Sequence, residues 1–595
     1  MKFLDNTHIR LFAVAALLST AVAAANAVPA KQGPIVVDQP DGTQLTIRLV
    51  GDEYGHITYS EDGYPLLYDD ALGYVYANVE SDGSLTATRI KANNISARTA
   101  TELNFINGLT TDKIATAATH MQKNAVARKS TGAKKAVMQK GPGLCTSTYP
   151  VTGVQKALVI LVEYSDVKFG SSNSSDFKYS DYGDAHQYFS DMLNKSGFSG
   201  SGATGSARDW FLQNSLDANG KSQFEPEFDV YGPVTLPNLM AYYGGNDSSG
   251  NDRNPQKMAI HACQILDDEV DFSQYDRDHD GYVDNIYIIY AGFGEASGGI
   301  KNTVWPHSWD INSAGEGVIY KFDGVIINHY ACSNESDYSY KRPDGIGTFV
   351  HEFSHVMGLP DLYATNYSYN AYTPNQYSVL DYGPYNNDGR TPPNYSSYER
   401  YALGWMEPKT FNETKQYTLK NLADTNDGYI VKTEKDSEWF LVENRQQTGW
   451  DTYLPGHGML IWHIDYVKSK FDGNTVNNTA SHQYVDLIEA NGKKTSTQAA
   501  GHPFPGTANV TSYTFTSWSD TETGVKFTDI AEDNGVISVY AENSNYDPNG
   551  VDEIGVDAAD AAVEYYNLQG IRVLNPEKGE LLIKRSGSTA TKVIY

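Results

Sequence analysis

The chain has 595 residues, 40% hydrophobic and 20% charged, and a formal net charge of −28 from 45 Lys+Arg against 73 Asp+Glu. That length holds several domains and a large core, and the acidic balance argues against a nucleic-acid partner while suiting bound calcium. Cys145, Cys263 and Cys332 are the only cysteines and none form a C-x-x-C pair, which excludes a full disulfide framework and a cysteine zinc site and leaves at most one bridge.

The N-terminus combines Lys2 and Arg10 with an apolar run over 11–24 and an Ala25-Asn26-Ala27 cleavage pattern. This reads as a secretory signal peptide over 1–27, too short in its apolar part to span a membrane well. The exported protein is expected to begin near Val28, with no transmembrane segment elsewhere. Residues 34–94 alternate strand-like runs with Asp-Gly turns at 41–42, 62–63 and 82–83, the pattern of a small β-rich module. Residues 95–143 lose that period. They carry Lys123, Arg128, Lys129, Lys134, Lys135 and Lys140 among small polar residues, and read as an exposed basic linker of the kind proteases cut.

Beyond residue 148 the texture is mixed. Residues 156–164 (KALVILVEY) form a continuous apolar run, as expected for a buried strand. Helices are predicted over 185–196, 206–213 and 254–268. Then Asp276, Asp278, Asp280, the carbonyl of Tyr282 and Asp284 take the spacing of a calcium loop, with Gly281 at its tight turn. Its twelfth position is Tyr287 rather than Glu, so it is not a full EF-hand; a calcium-free Asp-rich turn is the alternative. Strands over 286–291 and 324–330 follow.

The stretch 347–363, GTFVHEFSHVMGLPDLY, carries H-E-x-x-H at His351, Glu352 and His355. A helix over 347–357 ending at Gly358, with Pro360 beyond, turns both imidazoles to one face, where they can share a metal ion. Catalytic zinc takes three protein ligands and keeps one open position. Asp361, after the glycine turn, is the expected third ligand, with Glu399, on a second helix over 396–404, as the alternative. The expected chemistry is hydrolysis by a zinc-activated water, with Glu352 as general base that later protonates the leaving amine. Tyr382, just after a turn that should run beneath the metal, is the candidate oxyanion donor, with His307 and His463 as runners-up. Such a hydrolase behind a β-module and a cleavable linker is arranged as a zymogen.

From about 411 to 542 the chain is β-rich, with strands expected over 429–433, 439–443, 459–464 and 536–541. Residues 543–550 are a linker and 563–595 a last small β unit. The layout is thus a signal peptide (1–27), a pro-segment and basic linker (28–142), a catalytic domain (143–410), a β-rich domain (411–542) and a linker with a small C-terminal β module (543–595).

The segments HEFSHVMGLPDLY (351–363), DRDHDGYVDN, WPHSW (305–309), YALGWMEP (401–408) and VENRQQTGWDTYLPGHGMLIWHIDY (442–466) resemble the immune inhibitor A-like family of secreted bacterial zinc metalloendopeptidases, over about residues 150–510. The resemblance implies an α+β fold with a zincin-type, metzincin-like catalytic domain. It also implies protein or peptide substrates, synthesis as a pro-enzyme, catalytic zinc on His351 and His355 with Glu352 as catalytic residue, and structural calcium. The module at 34–94 looks like N-terminal segments of such proteins from Bacteroidetes-type bacteria. The tail EYYNLQGIRVLNPEKGELLIKRSG is similar to their C-terminal signal domains for export or cell-surface attachment, although its usual ending is degenerate here. Metzincin-type sites carry a methionine in the turn below the zinc, where this chain has Leu380. The competing reading is a surface-attached adhesin or glycan-binding protein on a vestigial protease fold, motivated by the aromatic β region with Trp450 and Trp462. The intact His351, Glu352 and His355 argue against it.

Overall fold

The computed structural model describes residues 28–129, 143–145, 147, 149–247, 250–366 and 371–546, with short strand segments at 22–23 and 132–133 and between 563 and 594. The signal-peptide assignment, and the linker cations Arg128, Lys129, Lys134, Lys135 and Lys140 as side chains, lie outside the described residues. Among the described residues no helix is long and apolar enough to cross a membrane.

Residues 35–91 form a six-stranded antiparallel meander, from Ile35–Asp38 to Leu85–Lys91. Its alternating burial, such as Leu45, Ile47 and Leu49 inward, follows from the two-residue period of a half-covered sheet. The inner face packs on Ala296 and Trp305, far along the chain. Within the stretch read as a basic linker, helices occupy Ala100–Ile106 and Thr111–Lys129. The first starts at a capping box in which Thr99 and Glu102 satisfy each other's backbone N–H groups. The Ala- and Thr-rich second helix shows weak apolar periodicity, so its face was not legible from pattern.

The central region is built on strand β1 (Gly153–Glu163), helices α1 (Ala185–Asn194) and α2 (Ala207–Asn214), strand β2 (Phe224–Thr235), helix α3 (Gln256–Leu266), and strands β3 (Ile286–Phe293), β4 (His307–Asp310) and β5 (His329–Asp337). The sheet order is β2-β1-β3-β5-β4, parallel except for β4, which runs antiparallel to β5. Strands β1 and β3 are buried along most of their length, as their unbroken apolar runs require. Helix α4 (Gly347–Val356) lies in the layer beside this sheet, with every residue buried. Its Phe349 and Phe353 pack on Phe228, while Phe353 also meets Tyr149 and Phe211. Gly347 is required by close approach, since a Cβ there would fall 2.0 Å from the Pro384 carbonyl oxygen.

Past helix α5 (Ser397–Ala402) two further sheets stack, one holding Glu438–Arg445 and Gly458–Asp465, the other Glu522–Asp533 and Val536–Asn543. Leu441, Trp462 and Ile464 of the first sheet share one continuous core with Phe353, Leu380 and Trp405, so the β-rich region and the central region are packed as one body. A small four-stranded sheet closes the chain between Val563 and Ile594. Cys263 and Cys332 are buried as thiols, and the Cys145 thiol donates to the Phe471 carbonyl at 3.0 Å.

Candidate metal centre and cleft

Helix α4 presents His351 and His355 one turn apart. Each ring is fixed by its Nδ1, which donates to the carbonyl of Val379 at 2.7 Å for His351 and of Leu359 at 2.8 Å for His355. Both Nε2 atoms are thereby left as lone-pair donors, and they stand 3.0 Å apart. The helix ends at Gly358, whose φ of +99° is the left-handed turn a Cβ would oppose. The chain then doubles back and brings Asp361 Oδ1 to 3.3 Å from His351 Nε2 and 3.2 Å from His355 Nε2.

Two imidazole lone pairs and a carboxylate oxygen cannot satisfy one another, because none brings a proton. Asp361 Oδ1 has no hydrogen-bond partner although it is buried. The three atoms therefore fit a cation at their centre, and two nitrogens with one oxygen form a donor set suited to zinc. Burial pushes the His355 imidazole down toward its neutral, ligating form.

Of the two carboxylates left open by the sequence, it is Asp361 that joins the histidines. Glu399 instead caps α5, accepting from the Ser396 backbone N–H at 2.7 Å and from the Ser378 hydroxyl at 2.7 Å. The 378–382 turn runs beneath the site as expected: Val379 holds His351, and Leu380 is fully buried in the common core. Glu352 is buried beside the cluster, and burial, then the charge of Asp361, raises its carboxyl well above the ordinary range.

The rings of His307 and His463 are both engaged by other partners. His307 is engaged by Tyr330 Oη and the Trp305 carbonyl, and His463 by Glu438 and a stack on Phe440 and Trp518. Tyr382 is half-buried in the 378–382 turn, and burial raises its phenol well above the ordinary range. In the acidic loop, Asp276, Asp278 and Asp280 converge, and Gly281 takes φ +90°. Asp284 is buried behind them and accepts the Arg277 N–H at 3.0 Å.

Four participants escaped the sequence reading. The backbone N–H of Val28 donates to Glu352 Oε1 at 2.9 Å. Trp305 Nε1 donates to the Val28 carbonyl at 3.1 Å, and Tyr385 Oη donates to the Pro29 carbonyl at 2.6 Å. A segment from the N-terminal module thus lies across the cleft with its main chain held on both sides. The fourth is Asn474, in the β-rich region, which donates through its amide to Asp361 Oδ2 and accepts the Asp361 N–H at 2.8 Å. WPHSW is the one local signal that could have drawn attention to Trp305; Tyr385 and Asn474 carry none.

The family model for the immune inhibitor A peptidase M6 catalytic domain matches residues 147–406. Among curated proteins, immune inhibitor A of Bacillus thuringiensis subsp. alesti is 27% identical over 270 residues, 40% of this chain and 38% of that protein. The pre-pro-metalloprotease PrtV of Vibrio cholerae serotype O1 is 24% identical over 278 residues, 42% of this chain and 29% of that protein. The chain therefore matches well under half the length of these relatives. The matched span contains helix α4, the glycine turn and the Asp361 carboxylate, so residues 147–406 are similar to the catalytic domain of the immune inhibitor A peptidase M6 family.

Proposed function

We propose that this chain is a secreted zinc-dependent endopeptidase, made as a zymogen, that hydrolyses peptide bonds of extracellular proteins. The observation that carries the reading is the meeting of His351 Nε2, His355 Nε2 and Asp361 Oδ1 within 3.3 Å, with the other ring nitrogens already committed to carbonyls. His351, His355 and Asp361 would hold the metal, which the family implies. Zinc bound there would polarise the scissile carbonyl and make an attacking water acidic near neutral pH.

Glu352 takes the water proton as the new C–O bond forms and delivers it to the amine as the C–N bond breaks. Tyr382 is the proposed donor to the developing oxyanion. Trp305 Nε1 and Tyr385 Oη, which here hold the carbonyls of Val28 and Pro29, would hold substrate carbonyls in the same way. Residues 28–142 would act as the pro-segment. Val28 on Glu352 supports this directly, because a catalytic base already accepting a chain N–H is not available to water.

The same reading assigns residues 1–27 to a signal peptide, 143–410 to the catalytic domain, 411–542 to a β-rich companion and 543–595 to a sorting-like module for cell-surface attachment. Asp276, Asp278, Asp280, the Tyr282 carbonyl and Asp284 would hold a structural calcium ion.

The test is purified protein cleaved after residue 129 and assayed on casein, with zinc counted in parallel. Hydrolysis that vanishes on chelation, returns with zinc, and falls by about 10²-fold or more in Glu352→Gln at unchanged zinc content is the expected result. Full hydrolysis by Glu352→Gln would overturn the assignment.

A further inference from the structure

Away from the histidine cluster, the loop between Gly244 and α3 folds back so that Asn246 and Asp252 pair across it, and the turn Glu295–Ser297 after β3 packs against it. Asn246 Nδ2 donates to Glu295 Oε1 at 2.9 Å, and the Trp305 N–H donates to Asp252 Oδ2 at 2.9 Å. These bonds leave four side-chain oxygens buried and without a hydrogen-bond partner: Asn246 Oδ1, Asn251 Oδ1, Asp252 Oδ1 and Glu295 Oε2. Glu295 is 5% exposed and Asn251 7%. Each orphaned oxygen costs on the order of 1–3 kcal/mol, more for a charged one. Two carboxylates in one buried cluster add like-charge repulsion. Burial, then Glu295, pushes the Asp252 carboxyl well above its ordinary range.

We infer that Asn246, Asn251, Asp252 and Glu295 form a second calcium site, separate from the 276–284 loop. The four orphaned donors are all oxygens, which suits a hard cation. Two carboxylates balance a divalent charge, and amide oxygens on an irregular loop suit calcium's flexible coordination better than the strict octahedron of magnesium. The local cation that meets Glu295 is His56, whose Nε2 lies 3.2 Å from Oε1 while the ring stacks on Trp305. His56 belongs to the N-terminal module. It engages Oε1 and leaves Oε2 to the ion.

The full-length chain titrated with calcium alone in a calorimeter gives the test. The double variant Asp252→Asn/Glu295→Gln is expected to bind one calcium ion fewer per chain than the unaltered protein, while Asp278→Asn leaves this site filled. An unchanged count in the double variant overturns the site. If the double variant fails to fold, terbium emission sensitised through tryptophan is read in Glu295→Gln and in Trp305→Phe. Loss of that emission in both supports the site, and undiminished emission in both overturns it. Neither readout depends on proteolysis, so the site can fail while the peptidase assignment stands, and the reverse.

Discussion

The backbone N–H of Val28 donates to Glu352 Oε1 at 2.9 Å, joining residues 324 positions apart at the group expected to move the proton in hydrolysis. Together with Trp305 on the Val28 carbonyl and Tyr385 on the Pro29 carbonyl, it makes residues 28–31 a strap across the cleft. A precursor lacking residues 28–33 but with an uncut linker is expected to cleave a fluorogenic peptide at least about tenfold faster than the intact precursor. Each such hydrogen bond is worth about 0.5–1.5 kcal/mol, so the three that hold the strap together suffice for that factor. Equal rates would show that latency resides elsewhere.

Asn474 grips Asp361 twice, through the carboxylate and through the backbone N–H. Asn474→Ala should leave the His351 and His355 rings in place yet free the carboxylate to rotate. Loss of such an outer partner typically weakens metal affinity 10–100-fold. A chelator competition titration reads this directly, and unchanged affinity would mean the Asp361 turn is rigid without Asn474.

Leu380 fills the turn beneath the histidines and is fully buried in the shared core. Leu380→Met conserves volume, so its cost should stay below about 1.5 kcal/mol and its activity within a few-fold of the unaltered enzyme. Leu380→Ala opens a cavity and should cost about 2–5 kcal/mol in urea unfolding. A large activity gain in Leu380→Met would instead indicate that the methionine sulfur has a role beyond packing.

Burial pushes the Asp284 carboxyl up to about 8, with Asp278, Asp276 and Asp280 adding to the shift and the Arg277 N–H opposing it. Its ordinary value is 3.8, so between about pH 4 and 8 the folded calcium-free chain keeps a proton that the unfolded chain releases. Stability without calcium should therefore fall as pH rises through this window and level off above it. Calcium, by favouring the carboxylate, should flatten the slope. Melting curves at several pH values, with and without calcium, check both halves, and Asp284→Asn should remove this contribution to the slope.

Much of this molecule is legible along the chain. H-E-x-x-H places two imidazoles on one helical face through the 3.6-residue turn, and Gly358 is read as the helix stop because only a left-handed residue ends α4 there. The unbroken apolar runs of β1 and β3 announce a buried parallel sheet, and the Asp276 spacing follows from local turn geometry. These features depend on neighbours within a few residues, where sequence spacing is also spatial spacing. What tertiary structure alone decided is which distant groups share a site. It set Asp361, not Glu399, against the histidines, because the Gly358 turn points one inward and the Ser396 cap retains the other. It brought Asn474 from the β-rich region and Val28 from the N-terminal module to the same few ångströms, by burying three stretches of chain in contact around one centre. Periodicity carries no record of such meetings, since a lone asparagine or a backbone N–H looks the same in the sequence wherever the fold takes it.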